Sequence, residues 1–359
     1  MPDDRSPPPF PAPFPLPPQG HPTEILDGIF WLQMPLPFAL NHVNLWILDD
    51  GDGWVIVDTG MSTEAIKHHW ETALTTALAG RPINRIIATH FHPDHAGLTG
   101  YLSQRVDAPV AMAPEEWRLA THISTRSAAE FVAGQQAFFA HHGLDQETLD
   151  RLALRGNVFR ERIEPIVETF EPLAEGDVLA IGGRQWRVVT GRGHSPAHAC
   201  LWCEAENLLI AGDQILPKIT PNISVLWAQP DADPLTDFLD TLNTFAWLPP
   251  DTLALPGHRT PFRGVPERLT ELAGHHEHRL NAALAACVDA PKSATELIPT
   301  LFDRAMDDHQ IVFALGEAVA HLTYLARRGY LLASDQNGVR RYATERPTIS
   351  LADERKQPS

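Results

Sequence analysis

Apolar runs of strand length recur along the chain and repeatedly end on the same kinds of polar residue. Ile86-Ile87-Ala88-Thr89 leads into His90-Phe91-His92-Pro93-Asp94-His95, and Trp186-Arg187-Val188-Val189-Thr190 leads to Gly193-His194. Leu208-Leu209-Ile210-Ala211-Gly212 runs into Asp213, and Leu253-Ala254-Leu255-Pro256-Gly257 into His258. Short apolar runs closed by turn residues predict buried strands. Each of these histidines and aspartates is therefore expected just past a strand's carboxyl end, where one sheet edge can gather loops distant in sequence. The glycines beside His194, Asp213 and His258 suit the tight backbone such loops require.

Helical spacing replaces strand spacing in two places. Within an insertion at about 113–168, Pro114-Glu115-Glu116-Trp117 sets a proline just inside a helix start with acids in its first turn. The stretches 128–140 and 146–154 carry apolar residues at helical intervals. Connectivity places these helices beside the ligand loops as a cap. Its Trp117, Phe131, Phe138 and Phe139 either line a hydrophobic pocket or glue the cap to the body. After His258 the pattern predicts helices over Val265–Ala286, 293–303 and 311–328, then a strand pair turning near Asn337-Gly338. Three helices and such a hairpin read as a winged-helix-like module over 266–345, followed by a polar tail at 346–359.

Composition and charge exclude some partners. Residues 1–22 form a proline-rich arm that lacks the uninterrupted apolar stretch of a secretory signal. Its phenylalanines can dock on the body or on a second subunit, which leaves a homodimer open. With 359 residues, 43% of them hydrophobic, the chain can build one large domain of 23–265 and one small one, and no apolar run is long enough to span a bilayer. A net charge of -17 repels phosphate backbones, so nucleic acid is disfavoured. Arg327, Arg328, Arg340 and Arg341 gather at the third helix end and the wing, but acids balance bases over this module, and a structural or dimerising use is favoured. Three cysteines make no disulfide framework, which favours a reducing, cytoplasmic compartment. Cys200 and Cys203 lie three apart on a predicted strand, so they face opposite ways and cannot share a metal. His275, His276 and His278 read as a solvated helix face.

The chemistry concentrates in seven residues. His90 and His92 point one way from their turn and Asp94 and His95 the other, so one loop reaches two cations. Adding His194, Asp213 and His258 gives a division in which His90, His92 and His194 hold one metal, Asp94, His95 and His258 hold the other, and Asp213 bridges. Zinc is expected in such a shell of nitrogen and oxygen, which also suits manganese or iron. Two divalent cations roughly 3.5–4 Å apart lower the pKa of a bridging water and polarise the carbonyl it attacks, so no Ser, Cys or Lys nucleophile is needed. Asp213 keeps the metal spacing, and Asp94 stabilises or protonates the leaving group.

The series His-x-His-x-Asp-His, Gly-His, Gly-Asp and Gly-His, in that order, resembles the ligand signature of the metallo-β-lactamase-fold hydrolase superfamily. That resemblance implies an α+β fold, an αββα sandwich of two mixed sheets between helical layers, with the site at one edge. Val55-Ile56-Val57-Asp58-Thr59-Gly60 resembles the superfamily's early Asp-x-Gly element, which implies that Asp58 orients ligands from behind instead of binding metal. Gly193-His194-Ser195-Pro196-Ala197-His198 is similar to the Gly-His-Thr-x-Gly-His stretch of glyoxalase II and related thioesterases, with Ala197 in place of a Gly. His198 is then either a supporting or substrate-side imidazole or a polar residue opening the next strand. β-Lactamases of this fold commonly carry Cys where Asp213 stands, and flavodiiron proteins carry Glu where His92 stands, so neither activity is favoured. The stretch 317–325 resembles the small carboxy-terminal domain of lactamase-like proteins that include mitochondrial endoribonucleases and fungal polyketide thioesterases. The expected activity is hydrolysis of a small acyl ester, thioester or lactone by a metal-bridging hydroxide. A metal-dependent endoribonuclease and a mono-iron persulfide dioxygenase are the alternatives.

Overall fold

The computed structural model describes residues 13–38 and 40–344; the polar tail at 346–359 and most of the proline-rich arm lie outside the described residues. Strands β1 (Thr23–Leu26), β2 (Ile29–Pro35), β3 (His42–Asp50), β4 (Gly53–Val57), β5 (Ile83–Ile87), β6 (Val110–Met112) and β7 (Glu171–Pro172) form one sheet in sequential order. Its first four strands are antiparallel and the rest parallel. A second sheet runs β12 (Leu253–Pro256), β11 (Leu208–Gly212), β10 (His198–Cys203), β9 (Arg184–Gly191) and β8 (Val178–Ile181). Only its β11–β12 pair is parallel.

Strand alternation explains why the sheets stack. On β3, Trp46 and Leu48 enter the core between the sheets, while Leu45 and Ile47 face helices α1 (Glu64–Thr75) and α3 (Thr99–Val106), with the single turn α2 (Pro93–Ala96) between those helices in the chain. On β10, Leu201 and Cys203 point into the same core, and Cys200 and Trp202 point away from it. The two cysteines therefore do face opposite ways. Trp31 and Trp46 stack with ring centres 5.9 Å apart, and with Trp186 they are fully buried between the sheets. Burying side chains of this kind stabilises by roughly 1.5–3 kcal/mol each. Phe14 of the arm packs against this core, and the Gly20 amide donates to the Gln33 carbonyl at 2.7 Å, so the described part of the arm docks on the body.

The cap consists of α4 (Pro114–Ser124), α5 (Ala128–His141) and α6 (Gln146–Ala153). Ser127 and Glu130 close a capping box on α5. Helices α7 (Pro234–Thr244), α8 (Val265–Ala286), α9 (Ala294–Leu301) and α10 (Asp308–Arg327) cover the outer face of the second sheet. A hairpin follows, β13 (Leu331–Gln336) and β14 (Val339–Thr344), turning on Asn337 and Gly338, both with positive φ as the tight turn demands. The carboxy-terminal helices share one continuous core with the second sheet and with Phe138, Phe139 and Leu149 of the cap.

This continuity overturns one expectation. Leu269, Leu272, His276, Leu280 and Ala283 mark an inward face of α8, so His276 is fully buried, its Nδ1 3.4 Å from His321 Nε2, and only its neighbours on the helix reach solvent. The arginines of this module are engaged within the chain. Arg340 meets Asp335 at 3.2 Å, Arg341 meets Glu296 at 2.8 Å, and Arg327 and Arg328 face Asp233. No helix among the described residues is long and apolar enough to cross a membrane.

Candidate metal centre

The strand order brings the polar ends together. Loops after β4 and β5 leave one edge of the first sheet, and those after β9, β11 and β12 leave the adjoining edge of the second. Two hydrogen bonds knit the edges: the Ala199 amide donates to the Thr89 carbonyl at 2.8 Å, and the Asn44 amide to the Gly257 carbonyl at 2.7 Å. Asn44 Nδ2 also donates to the carbonyls of Pro256 and Arg259, so β3 clamps the loop that carries His258.

All seven candidate ligand positions converge. His90 Nε2 lies 2.9 Å from His92 Nδ1 and 3.3 Å from His194 Nε2. His258 Nε2 lies 3.3 Å from Asp94 Oδ2 and 3.3 Å from Asp213 Oδ2, and His95 Nε2 is 3.5 Å from Asp213 Oδ1. Asp213 also reaches towards His194 Nε2, at 3.7 Å, so its carboxylate stands between the two triads. Ligand atoms of His90, His92 and His194 lie within 4.8 Å of one another, as do those of Asp94, His95 and His258.

These residues fit a pair of cations for a reason internal to the geometry. Burial, reinforced by neighbouring imidazoles, pushes His90 well below the usual imidazole range and His92 down to about 3. Unprotonated ring nitrogens therefore face one another across one point, and His95 Nε2 and Asp213 Oδ1 are buried with no hydrogen-bond partner. Lone pairs and carboxylates so arranged repel one another unless a cation lies between them. In the second group burial acts against the charge on His258, but Asp213 and Asp94 hold that imidazole up at about 9. The field there is negative, as a cation requires.

The nitrogens facing away from the centre are fixed by partners behind them, which sets each ring's tautomer. Asp58, at φ 64, accepts from the Thr89 amide at 2.7 Å, from Thr89 Oγ1 at 2.9 Å and from His95 Nδ1 at 2.8 Å. His194 Nδ1 donates to the Asn222 carbonyl and His258 Nδ1 to the His42 carbonyl, both at 2.9 Å. His198 opens β10 and is fully buried, and its Nε2 accepts the Asp213 amide at 3.0 Å. It opens the strand and at the same time holds the Asp213 backbone from behind. A Cβ at Gly257 would stand 2.3 Å from Asp213 Oδ1, which explains why that loop carries glycine.

One residue of this support lay unread in the sequence. Glu116 is fully buried; Oε2 accepts the Phe91 amide at 2.9 Å, and Oε1 accepts Ser195 Oγ at 2.7 Å and the Ala197 amide at 2.6 Å. It ties the His90–His92 loop to the His194 loop. Burial pushes its carboxyl up to about 7 against the pull of those three donors. Its first-turn position suggested a dipole partner, yet Glu116, Leu119, Ala120 and Ile123 form the buried stripe of α4, and that spacing was the signal available.

A cavity of about 180 Å³ opens beside His92 and His194, walled by Phe131, Phe139, Leu226 and Trp227. Of the four cap aromatics, Phe131 and Phe139 line it and the other two take the second role open to them. Trp117 stacks on Phe170 and donates to the Val167 carbonyl at 2.9 Å, and Phe138 packs on His142, so both serve as glue. The loop between β11 and α7, from Asn222 to Trp227, the segment from Arg155 to Arg162 that follows α6, and the first turns of α10 also contribute to the wall.

A model of the metallo-beta-lactamase superfamily matches residues 39–258, more than half of the chain, and one of the metallo-beta-lactamase-like carboxy-terminal domain matches 280–345. A solved beta-lactamase domain protein from Burkholderia ambifaria superposes with a TM-score of 0.87 at 41% identity, covering 93% of this chain and 97% of that one. The probable metallo-hydrolase YqjP of Bacillus subtilis is 24% identical over 313 residues, 83% of this chain and 92% of that protein. The human acyl-coenzyme A thioesterase MBLAC2 is 26% identical over 261 residues, 70% of this chain and 84% of that protein.

Proposed function

The chain belongs to the metallo-beta-lactamase superfamily, and from that premise we propose that it hydrolyses a small acyl thioester, ester or lactone at a dinuclear metal centre. The observation that carries the reading is the convergence of His90, His92, His194 and Asp94, His95, His258 about Asp213, with buried ligand atoms left unpartnered. Two divalent cations, zinc or alternatively manganese or iron, would supply an activated water at neutral pH and polarise the carbonyl. Asp213 sets the separation of the two ligand groups. Burial acts against the charge on Asp94, the most exposed acid of the cluster, but His95 and His258 hold it well below the usual carboxylate range, so it stays ionised and can stabilise positive charge at Oδ2 beside the leaving group. Asp58 and His198 keep His95 and the Asp213 backbone in place.

Thioesters are favoured over phosphodiesters by two observations. The cavity beside His92 and His194 is walled mainly by apolar side chains, which suits an acyl chain, and a similar protein is named an acyl-coenzyme A thioesterase. The arginines of the carboxy-terminal module are occupied within the chain, so they offer little to RNA. Three buried free cysteines suit a reducing compartment such as the cytoplasm. The test is a panel of acyl thioesters, lactones and phosphodiesters offered to metal-analysed protein, before and after chelation. Two metals per chain and chelator-sensitive thioester or lactone turnover are expected. A single iron with oxygen uptake, or faster cleavage of RNA than of every acyl substrate, would overturn it.

A further inference from the structure

The cavity is apolar on most sides, but one wall carries charge in a way the acyl-hydrolase reading does not use. Arg155 and Arg162 both line it, together with His309 from the first turn of α10. Arg162 is half-buried, its guanidinium lies 4.9 Å from the centre of the Phe38 ring, and among the described residues no carboxylate comes within ion-pair range of it. Among the described residues Arg155 donates to a backbone carbonyl, that of Asp308, at 3.0 Å. Burial and the nearby Arg155 charge both lower the Arg162 pKa, and Glu161 and Asp94 act on it only at longer range. His309 stacks on Phe38 and is held down to about 4 by burial and by the two arginines, so it adds no positive charge at neutral pH.

Two like charges sharing a partly desolvated cavity are unfavourable unless something negative comes between them. Guanidinium groups present a donor fork that fits carboxylate and phosphate. We propose that Arg162, assisted by Arg155, forms an anion-recognition subsite in the acyl cavity, so that the substrate carries a carboxylate or phosphate besides the bond that is cleaved. The apolar part then lies against Phe131, Phe139 and Trp227, and the reacting carbonyl faces His92 and His194. This rests on the acyl-hydrolase reading for the nature of the apolar part, while the anion preference can be measured without turnover.

The experiment is calorimetric titration of the full chain with octanoate, octyl phosphate and octanol, in metal-loaded and chelator-treated protein. The wild type and the variants Arg162→Gln and Arg162→Lys are compared. Loss of a charge-assisted hydrogen bond corresponds to roughly 10- to 100-fold in affinity. Arg162→Gln is expected to weaken one or both anions by that factor and leave octanol unchanged, with Arg162→Lys in between. The ranking of octanoate against octyl phosphate identifies which anion the site prefers. Equal affinity for octanol and both anions in the wild type, or equal weakening of all three probes by Arg162→Gln, overturns the subsite. Anion preference without hydrolysis of any thioester, ester or lactone leaves the subsite standing and defeats the acyl-hydrolase reading; hydrolysis without anion preference does the reverse.

Discussion

At the metal end of the cavity His90, His95, His198, Glu116 and Asp213 are enclosed, each held by a hydrogen bond or a close charge. At the apolar end Arg155 and Arg162 are only half-buried, and the walls are aromatic rings packed by shape. The first end is over-determined by polar geometry: moving one ring strands a carboxylate or an imidazole in a dry site, at a cost of several kcal/mol. The second is set by volume and tolerates rearrangement, as apolar packing does when total volume is kept. Substitutions at the metal end should therefore act on metal binding and rate with little change of fold, whereas those at the apolar end should act on substrate preference or on stability.

The sharpest way to break that contrast is Asp213→Ala. It removes the carboxylate between the two triads, so turnover should fall on the order of 1,000-fold or more, with metal content reduced and the circular dichroism spectrum unchanged. Substantial turnover with two metals still bound would mean that Asp213 does not bridge. Asp58→Ala probes the next layer out. It leaves His95 Nδ1 and Thr89 without their acceptor, and metal affinity should drop by about 10- to 100-fold, read by competition with a chromogenic chelator.

The difference between the two ends also explains what could be read before the fold was known. Metal-ligand chemistry restricts residue type, and each candidate ligand lies just past a strand, so His90 to His95, His194, Asp213 and His258 stand out locally, and the resemblance they carry implies the αββα fold. The apolar wall is drawn from segments far apart in sequence, among them the cap helices with the segment that follows α6, the Asn222–Trp227 loop and α10, and only tertiary packing decides which aromatic faces inward. That is why the sequence leaves both roles open to each of the four cap aromatics, and packing gives the pocket to Phe131 and Phe139 and the glue role to Trp117 and Phe138. His276 was misplaced for the same reason: a helix covered on two sides buries a histidine that its own sequence leaves ambiguous.

Adjacent phenylalanines on α5 give a contrast within one helix turn. Phe139 lines the cavity and Phe138 packs on His142. Phe138→Ala should cost roughly 3–5 kcal/mol of stability, measured by urea unfolding, with the dependence of kcat/KM on acyl length preserved. Phe139→Leu should shift that dependence towards longer chains by several-fold. If both variants alter chain-length preference alike, the cavity wall has been drawn in the wrong place.

The smallest effect tests whether the carboxy-terminal helices belong to the metal end at all. Glu317 of α10 pairs with Arg279 of α8 and accepts from Asn222 Nδ2 at 3.3 Å, and the Asn222 carbonyl in turn fixes His194 Nδ1. Glu317 is thus a positioning residue acting through Asn222. Removing it alone strands Arg279 in a buried site, whereas replacing a buried pair by apolar residues of similar volume is often neutral for stability. The double variant Glu317→Leu with Arg279→Met should therefore unfold near the wild-type urea midpoint while releasing the Asn222 side chain. Ser224 Oγ still donates to Asn222 Oδ1 at 2.6 Å, so the loss of metal affinity should be several-fold, below that of Asp58→Ala. Affinity equal to wild type in a variant of unchanged stability would show that α10 only covers the sheet, and that the tie through Asn222 carries no strain to His194.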